Sequence, residues 1–263
     1  MNILQLHNKY FYYGGEDTVV RNEYVLLKKK GHNVSQIFRD NKLEIKNFKD
    51  NINVLKNLSY SKSSLEILDK YFLKNKLPDI VHIHNLFPLW TYSVLDYFKK
   101  KNIPIVMTIH NYRLVHSKLN FFDKNFYKYG YFKNSKIKTI IISKIFNKNF
   151  KLLQSIDKII TFSEFTQQKN LLSGIKKNKF IIKPNFLFEK QKYDFKQKKI
   201  QNKNFGIYAS RLSYDKGIKT LIQACNGLKA KIKIYGDGPL LNNLKKNFDP
   251  KVNYKLYGPR KYK

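Results

Sequence analysis

The sequence predicts an α/β protein made of two parallel sheets, each with helices on its faces. Three observations predict this. Short, largely apolar runs, such as Ile80–His84, alternate with amphipathic stretches of helical period, and such strands belong to sheets covered on both sides. The alternation is interrupted once, by a Lys- and Gln-rich stretch, and then resumes. At 263 residues the chain holds one to two domains of roughly 150 residues each.

The elements follow in order. Asn2–Leu6 opens as an apolar strand, and Gly14-Gly15 turns the chain into a helix. Val19, Val20, Tyr24, Leu26 and Leu27 recur at helical spacing there, with Glu16 and Asp17 at the positive end of the helix dipole. Gly31-His32 stops the helix before the strand Asn33–Phe38. Ser63–Lys74 is amphipathic, and Pro78-Asp79 introduces the strand Ile80–His84. Then come helix Ser93–Lys100, strand Ile103–Ile109, helix Ser135–Gln154, strand Lys158–Phe162, helix Phe165–Leu172 and strand Phe180–Ile182, closed by Pro184-Asn185. We place a first domain at 1–187, a linker at 188–203 and a second domain at 204–263. The second series reads strand Phe205–Ala209, helix Lys216–Gly227, strand Lys231–Tyr235, helix Leu240–Asn247 and strand Val252–Tyr257.

Composition narrows the function classes. Hydrophobic residues make up 42%, enough for a true core. The single cysteine, Cys225, rules out a disulfide framework within the chain and disfavours a thiolate metal site. The first residues lack a signal-peptide pattern, and the longest apolar stretch, Ile137–Phe146, is broken by Lys138 and Lys144, short of the ~18 residues a membrane span needs. A cytoplasmic protein, soluble or peripheral on the inner face of the membrane, is expected. The net charge of +34 favours polyanions. Only five of the 52 cations are arginines, at 21, 39, 113, 211 and 260, and the chain is rich in Asn, Ile, Tyr and Phe. That mix reads mainly as compositional bias toward AT-rich codons. Arginine forks for phosphates and base edges are scarce, so no nucleic-acid partner is expected.

Ligands of open parallel sheets bind beyond the carboxyl ends of the strands. After the first strand lies Gly14-Gly15-Glu16-Asp17, either a tight turn or a place where backbone N–H groups meet an anion. After the third comes His84-Asn85, after the fourth His110-Asn111-Tyr112-Arg113. His82 and His84 share one side of a strand, but no carboxylate or cysteine stands nearby in sequence, so no metal site is expected. In the second series Arg211 and Lys216 share a strand-to-helix loop and together could neutralise a diphosphate. Gly236-Asp237-Gly238-Pro239 forms the next turn, structural or anion-binding.

Taken in order, these stretches resemble the GT-B glycosyltransferases of family 4. The resemblance is carried by Met1–Leu4 with Gly14–Asp17, Pro78–Asn85, Thr108–Arg113, Phe162–Glu164 with Pro184-Asn185, Ser210–Leu212 with Lys216-Gly217, and Gly236–Pro239. It implies two Rossmann-like domains, the first for the acceptor and the second for a nucleotide-diphosphate sugar, with the reaction in the cleft between them. It implies retention of anomeric configuration without a metal ion or other cofactor. Arg211 and Lys216 match the pair that grips the donor diphosphate, and Gly14, Gly15, Gly236 and Gly238 fall on the donor side. His110 matches the histidine near the transferring sugar; Glu16, His84, Asn85, Asn111 and Tyr112 fall on the acceptor side. The implied setting is bacterial cell-surface polysaccharide or lipopolysaccharide synthesis, with a glycan or lipid-linked acceptor at an anionic membrane. The family pattern continues into a further glycine-rich loop with two glutamates spaced Glu-x7-Glu. The sequence stops at Lys263, ahead of it, so the second domain is expected to be incomplete and the chain to transfer no sugar by itself. The alternative is a non-catalytic basic protein on the same scaffold, binding nucleic acid or an anionic membrane.

Overall fold

The computed structural model describes residues 1–11, 14–112, 136–186, 188, 205–225, 231–246 and 254–259. The chain divides into two compact units, Met1–Lys192 and Tyr193–Lys263. Of the expected linker only Phe188 is described, and Arg113 lies outside the described residues.

The first unit is built on a six-stranded parallel sheet. Its strands are β1 (Asn2–Lys9), β2 (Asn33–Asp40), β3 (Ile80–Asn85), β4 (Ile105–Thr108), β5 (Lys158–Thr161) and β6 (Phe180–Ile182), in the order β2-β1-β3-β4-β5-β6. The helices are α1 (Gly15–Lys29), α2 (Asn41–Glu44), α3 (Phe48–Asn57), α4 (Lys62–Phe72), α5 (Ser93–Lys100), α6 (Lys136–Leu153) and α7 (Glu164–Leu171). Leu4, Leu6, Val81, Ile83, Trp90, Leu95, Phe98, Leu153 and Ile159 meet in one core. The apolar runs become the central strands because both faces of those strands are covered.

β1 is longer than its apolar run. Its last three residues, His7, Asn8 and Lys9, continue the ladder with β2, and His7 and Asn8 are buried. The pairing of β1 with β3 runs from Ile3–Ile80 to Leu6–Ile83 and then shifts, so that His7 faces Asn85 and His84 stands in a bulge. A bulge at a strand end re-aims the side chain it carries. β4 starts two residues later than expected because Pro104, with no N–H to give, precedes it.

The second unit holds a three-stranded parallel sheet, β7 (Phe205–Ala209), β8 (Lys231–Tyr235) and β9 (Tyr254–Gly258), in that order. α8 (Ile218–Ala224) and α9 (Leu241–Lys246) pack Ile218 and Leu244 against Ile232, Ile234 and Tyr254. Lys216 does not begin the helix. It ends a short 3-10 turn, Tyr214–Lys216, and Gly217 at φ 70° reverses the chain before α8 starts. Only glycine takes that left-handed conformation at no steric cost.

Candidate active site

The carboxyl edge of the first sheet is pinned from several elements. Asn8 on β1 donates to Asn41 at 2.8 Å and accepts from the Leu89 N–H at 2.8 Å. Asn85 donates to the Asn8 carbonyl at 2.8 Å and accepts from the Phe87 N–H at 3.2 Å. Arg39, at the end of β2, is paired with Glu44 and donates to Ser64 and to the Leu89 carbonyl, each at 2.9 Å. Asn85 therefore spends its amide largely on the fold.

Beneath this edge lies a buried polar cluster. Asp17, in the first turn of α1, accepts from the Gly14 N–H at 2.8 Å and sits 3.1 Å from His7 Nε2. Burial pushes its carboxyl up, but the His7 and Gly14 hydrogen bonds outweigh burial and hold it below the usual carboxylate range. Glu16 Oε1 lies 3.8 Å from His7 Nδ1. Glu23, a turn and a half further along α1, pairs through Oε1 with Lys183, the residue that follows β6. Its Oε2 lies 3.5 Å from His82 Nδ1 and 3.3 Å from His84 Nε2. His82 Nε2 is hydrogen-bonded with Thr108 Oγ1 at 2.8 Å, and His84 Nδ1 with His110 Nε2 at 3.3 Å. His110 also packs beside Phe162, with ring centroids 5.1 Å apart. Burial holds all three imidazoles neutral: His82 and His110 drop to about 3, and His84, crowded also by its histidine neighbours, lies well below its ordinary value.

The expectation that no carboxylate stands near His82 and His84 is corrected here. Glu23 is close, brought from another element by the fold. The ligand atoms of Glu23, His82 and His84 lie within 4.8 Å of one another, a donor set that could hold a divalent ion. Lys183 already places a positive charge on the same carboxylate. Burial nevertheless raises the Glu23 carboxyl, since it outweighs the Lys183 hydrogen bond and charge. Lys183→Met should leave that buried carboxylate poorly satisfied and cost about 1–3 kcal/mol, read as a shift in the denaturant midpoint of the first unit. A midpoint equal to wild type would show that the pair contributes nothing.

The site residues named from sequence fall as follows. Gly14 and Gly15 are exposed at the start of α1, and a Cβ on either would meet nothing within 4 Å. The fold itself does not require glycine at these two positions. Glu16, His110, Asn111 and Tyr112 are partly exposed, whereas His84 and Asn85 are buried. His84, Asn85, Phe87, Thr108, His110 and Asn111 contribute to a recess of about 310 Å³, its open mouth included. His7, Glu23, Thr108 and Lys183 were not named. A glutamate three residues after Val20 and four before Leu27 stands on the sheet-facing stripe of α1, and a charge there is the one signal that could have found Glu23.

In the second unit the two loops expected to face a donor are joined through their backbones. The Ser210 N–H donates to the Tyr235 carbonyl at 3.1 Å, Leu212 N–H to the Asp237 carbonyl at 2.8 Å, and Leu240 N–H to the Leu212 carbonyl at 3.0 Å. Gly236 at φ 146° and Gly238 at φ 152° make this possible; a Cβ would lie 1.9 Å from the Ser210 oxygen and 2.6 Å from the Leu212 oxygen respectively. Arg211 and Lys216 are both exposed beyond the carboxyl end of β7. The Arg211 Nε lies 3.4 Å from Ser213 Oγ, and the Lys216 carbonyl accepts from the Tyr208 hydroxyl at 2.9 Å.

Two parallel-sheet units, with polar and cationic residues at the carboxyl ends of their strands, are the elements of the GT-B fold. The chain belongs to Glycosyltransferase Family 4, whose sequence profile matches residues 13–187. Among solved structures, the apo form of the lipopolysaccharide outer core galactosyltransferase WaaB is similar at a TM-score of 0.55 and 14% identity, covering 99% of this chain and 68% of that one. HepE from Anabaena, in complex with UDP and glucose, is similar at a TM-score of 0.58 and 13% identity, covering 99% of this chain and 70% of that one. At these identities the likeness shows the fold. No curated protein sequence matches the chain.

Proposed function

We propose that the protein transfers a sugar from a nucleoside-diphosphate sugar to a glycan or lipid-linked acceptor, with retention of anomeric configuration, in the assembly of a bacterial cell-surface polysaccharide or lipopolysaccharide. The observation that carries this reading is the joining of the Arg211 loop to the Gly236–Pro239 loop beyond the carboxyl ends of β7 and β8. It holds an arginine and a lysine on one exposed edge, where a diphosphate would bind. The leaving nucleoside diphosphate gains negative charge as the glycosidic bond breaks; Arg211 stabilises it, Lys216 supports it, and the reaction asks for no metal ion. UDP in the similar HepE structures agrees with such a donor. On the first unit, Gly14 and Gly15 give an anion close access to the start of α1, which internal packing does not demand. The neutral His110 stands near the transferring sugar, Glu16, Asn111 and Tyr112 face the acceptor side, and His84 and Asn85 shape that side from beneath.

The test is turnover. In a form that also carries the glycine-rich loop with its two glutamates, Arg211→Ala should lower kcat by 10²–10³-fold, about 3–4 kcal/mol of transition-state stabilisation, and His84→Ala by far less among molecules that remain folded. Equal, small losses in both would contradict the roles assigned. A thermal-shift panel of nucleoside-diphosphate sugars, run beside salt-dependent RNA binding, separates this reading from a polyanion-binding one. Stabilisation by no nucleotide sugar, with tight RNA binding, would reject it.

A further inference from the structure

Glu23 and His84 carry polar atoms that the fold does not satisfy. Neither Glu23 Oε2 nor His84 Nε2 has a hydrogen-bond partner, although the two residues are only 4% and 2% exposed. The two atoms are 3.3 Å apart, within hydrogen-bond distance, and still make no hydrogen bond. His82 Nδ1 stands 3.5 Å from the same oxygen. Burying a carboxylate oxygen without a partner is costly. An apolar residue at this place on the sheet-facing stripe of α1 would carry no such cost.

The spacing fits one kind of occupant. Ligands of a tetrahedral zinc ion, each about 2.0–2.2 Å from the metal, lie roughly 3.3–3.6 Å from one another. Glu23 Oε2 keeps that spacing from both imidazole nitrogens. Atoms aimed at a common centre also miss one another's axes, so such close neighbours need not be hydrogen-bonded. His82 and His84 alternate on β3 and reach the same side of the strand, their ring centroids 4.2 Å apart. Each has a partner for its other nitrogen, as metal-bound histidines do. The His82 tautomer that donates from Nε2 to Thr108 Oγ1 leaves Nδ1 bare toward Glu23. The His84 tautomer that donates from Nδ1 to His110 Nε2 leaves Nε2 bare toward the same point. Burial keeps both rings neutral, the form that binds metal. Lys183 occupies the other glutamate oxygen, Oε1. It orients the carboxylate, and its charge weakens a cation at Oε2 without blocking it.

We propose that Glu23, His82 and His84 form a zinc-type site, holding a divalent transition ion through Oε2, Nδ1 and Nε2, with a solvent oxygen as fourth ligand. Two imidazoles favour zinc, copper, nickel or iron over magnesium or calcium. The recess bordered by His84, Thr108 and His110 is the route in. Through His84 the ion also fixes which nitrogen of His110 accepts a hydrogen bond. It takes no part in the leaving-group chemistry given to Arg211 and Lys216, so the inference goes beyond the transfer reading and stands without it.

Zinc chloride tests it, titrated against a chromophoric chelator into the full chain after EDTA treatment and exchange into chelator-free buffer. The chain should draw a single equivalent of zinc from the chelator. Its thermal midpoint should rise with zinc and stay unchanged with magnesium or calcium. Cobalt(II) in place of zinc should give the intense visible absorption of a four-coordinate ion. Glu23→Gln and His82→Gln should each weaken zinc by more than the roughly 10–100-fold that loss of a supporting partner costs. Thr108→Val should weaken it by about that 10–100-fold, and His32→Gln not at all. Should the ligand variants fail to fold, the cobalt spectrum of the wild-type chain and the Thr108→Val affinity decide. Absence of zinc uptake by the folded chain would overturn the proposal and leave Lys183 as the cluster's cation. So would uptake that the Glu23, His82 and Thr108 variants leave unchanged, or the weak spectrum of six-coordinate cobalt, either of which would place the ion on surface groups.

Discussion

Lowering the pH from 7 to 5 is expected to destabilise the first unit by up to about 6 kcal/mol. His82, His84 and His110 are held neutral in the fold and titrate near 6.5 once unfolded. The unfolded chain therefore binds more protons between about 3 and 6.5. Stability is full above the unfolded value and is lost as pH falls through that window. Each imidazole contributes about 2 kcal/mol between pH 7 and 5. The Asp17 carboxyl, held low, adds to the loss further down. Glu23, raised by burial, works in the opposite direction, but it is one group against three. A total stability of about 5–15 kcal/mol leaves little margin. Urea unfolding at pH 7 and pH 5, in EDTA so that no ion fills the Glu23–His82–His84 cluster, measures it. A midpoint unchanged between the two would refute the neutral cluster, as would an NMR titration of His110 centred near 6.5.

The second large effect is expected from one methyl group. Gly236→Ala puts a Cβ 1.9 Å from the Ser210 carbonyl oxygen, at φ 146° where a side chain is strained in any case. The obstacle is backbone, which cannot rotate out of the way. The strain alone costs about 1–3 kcal/mol, and the overlap adds to it by forcing apart the loops after β7 and β8. The small core of Leu212, Ile218, Ile232 and Ile234 has little to set against this. Limited proteolysis should then remove the second unit and spare the first. Gly206→Ala is the control, since its Cβ would meet nothing within 4 Å. Equal protease resistance in the two variants would show that the loop junction is not structural.

The architecture was legible because short, largely apolar runs such as Ile80–His84 and Ile103–Ile109 recur between stretches that keep a helical period. The order of candidate residues at strand ends followed from the same reading. The polar cluster was not legible. Glu23 and Lys183 lie 160 residues apart, and nothing local to either names the other; only the strand order brings the end of β6 toward α1. His7 was missed because β1 outlasts its apolar run, its final residues being polar and buried. The Gly236–Pro239 turn was ambiguous for a different reason. Sequence shows that glycine is present, whereas whether a ligand or another loop occupies the space beside it is a property of the packed unit.

The Glu23–Lys183 pair also has a place in the order of events during folding. Closing so long a loop carries the largest chain-entropy cost of the contacts in the cluster, and Lys183 follows the last strand of the sheet. The contact is expected to form late, once the strands have paired. Lys183→Met should then raise the unfolding rate and leave the folding rate nearly unchanged, which the two arms of a chevron plot would read. On that expectation the ion pair would act as a latch on an assembled sheet, prolonging the lifetime of the native state without guiding the chain toward it.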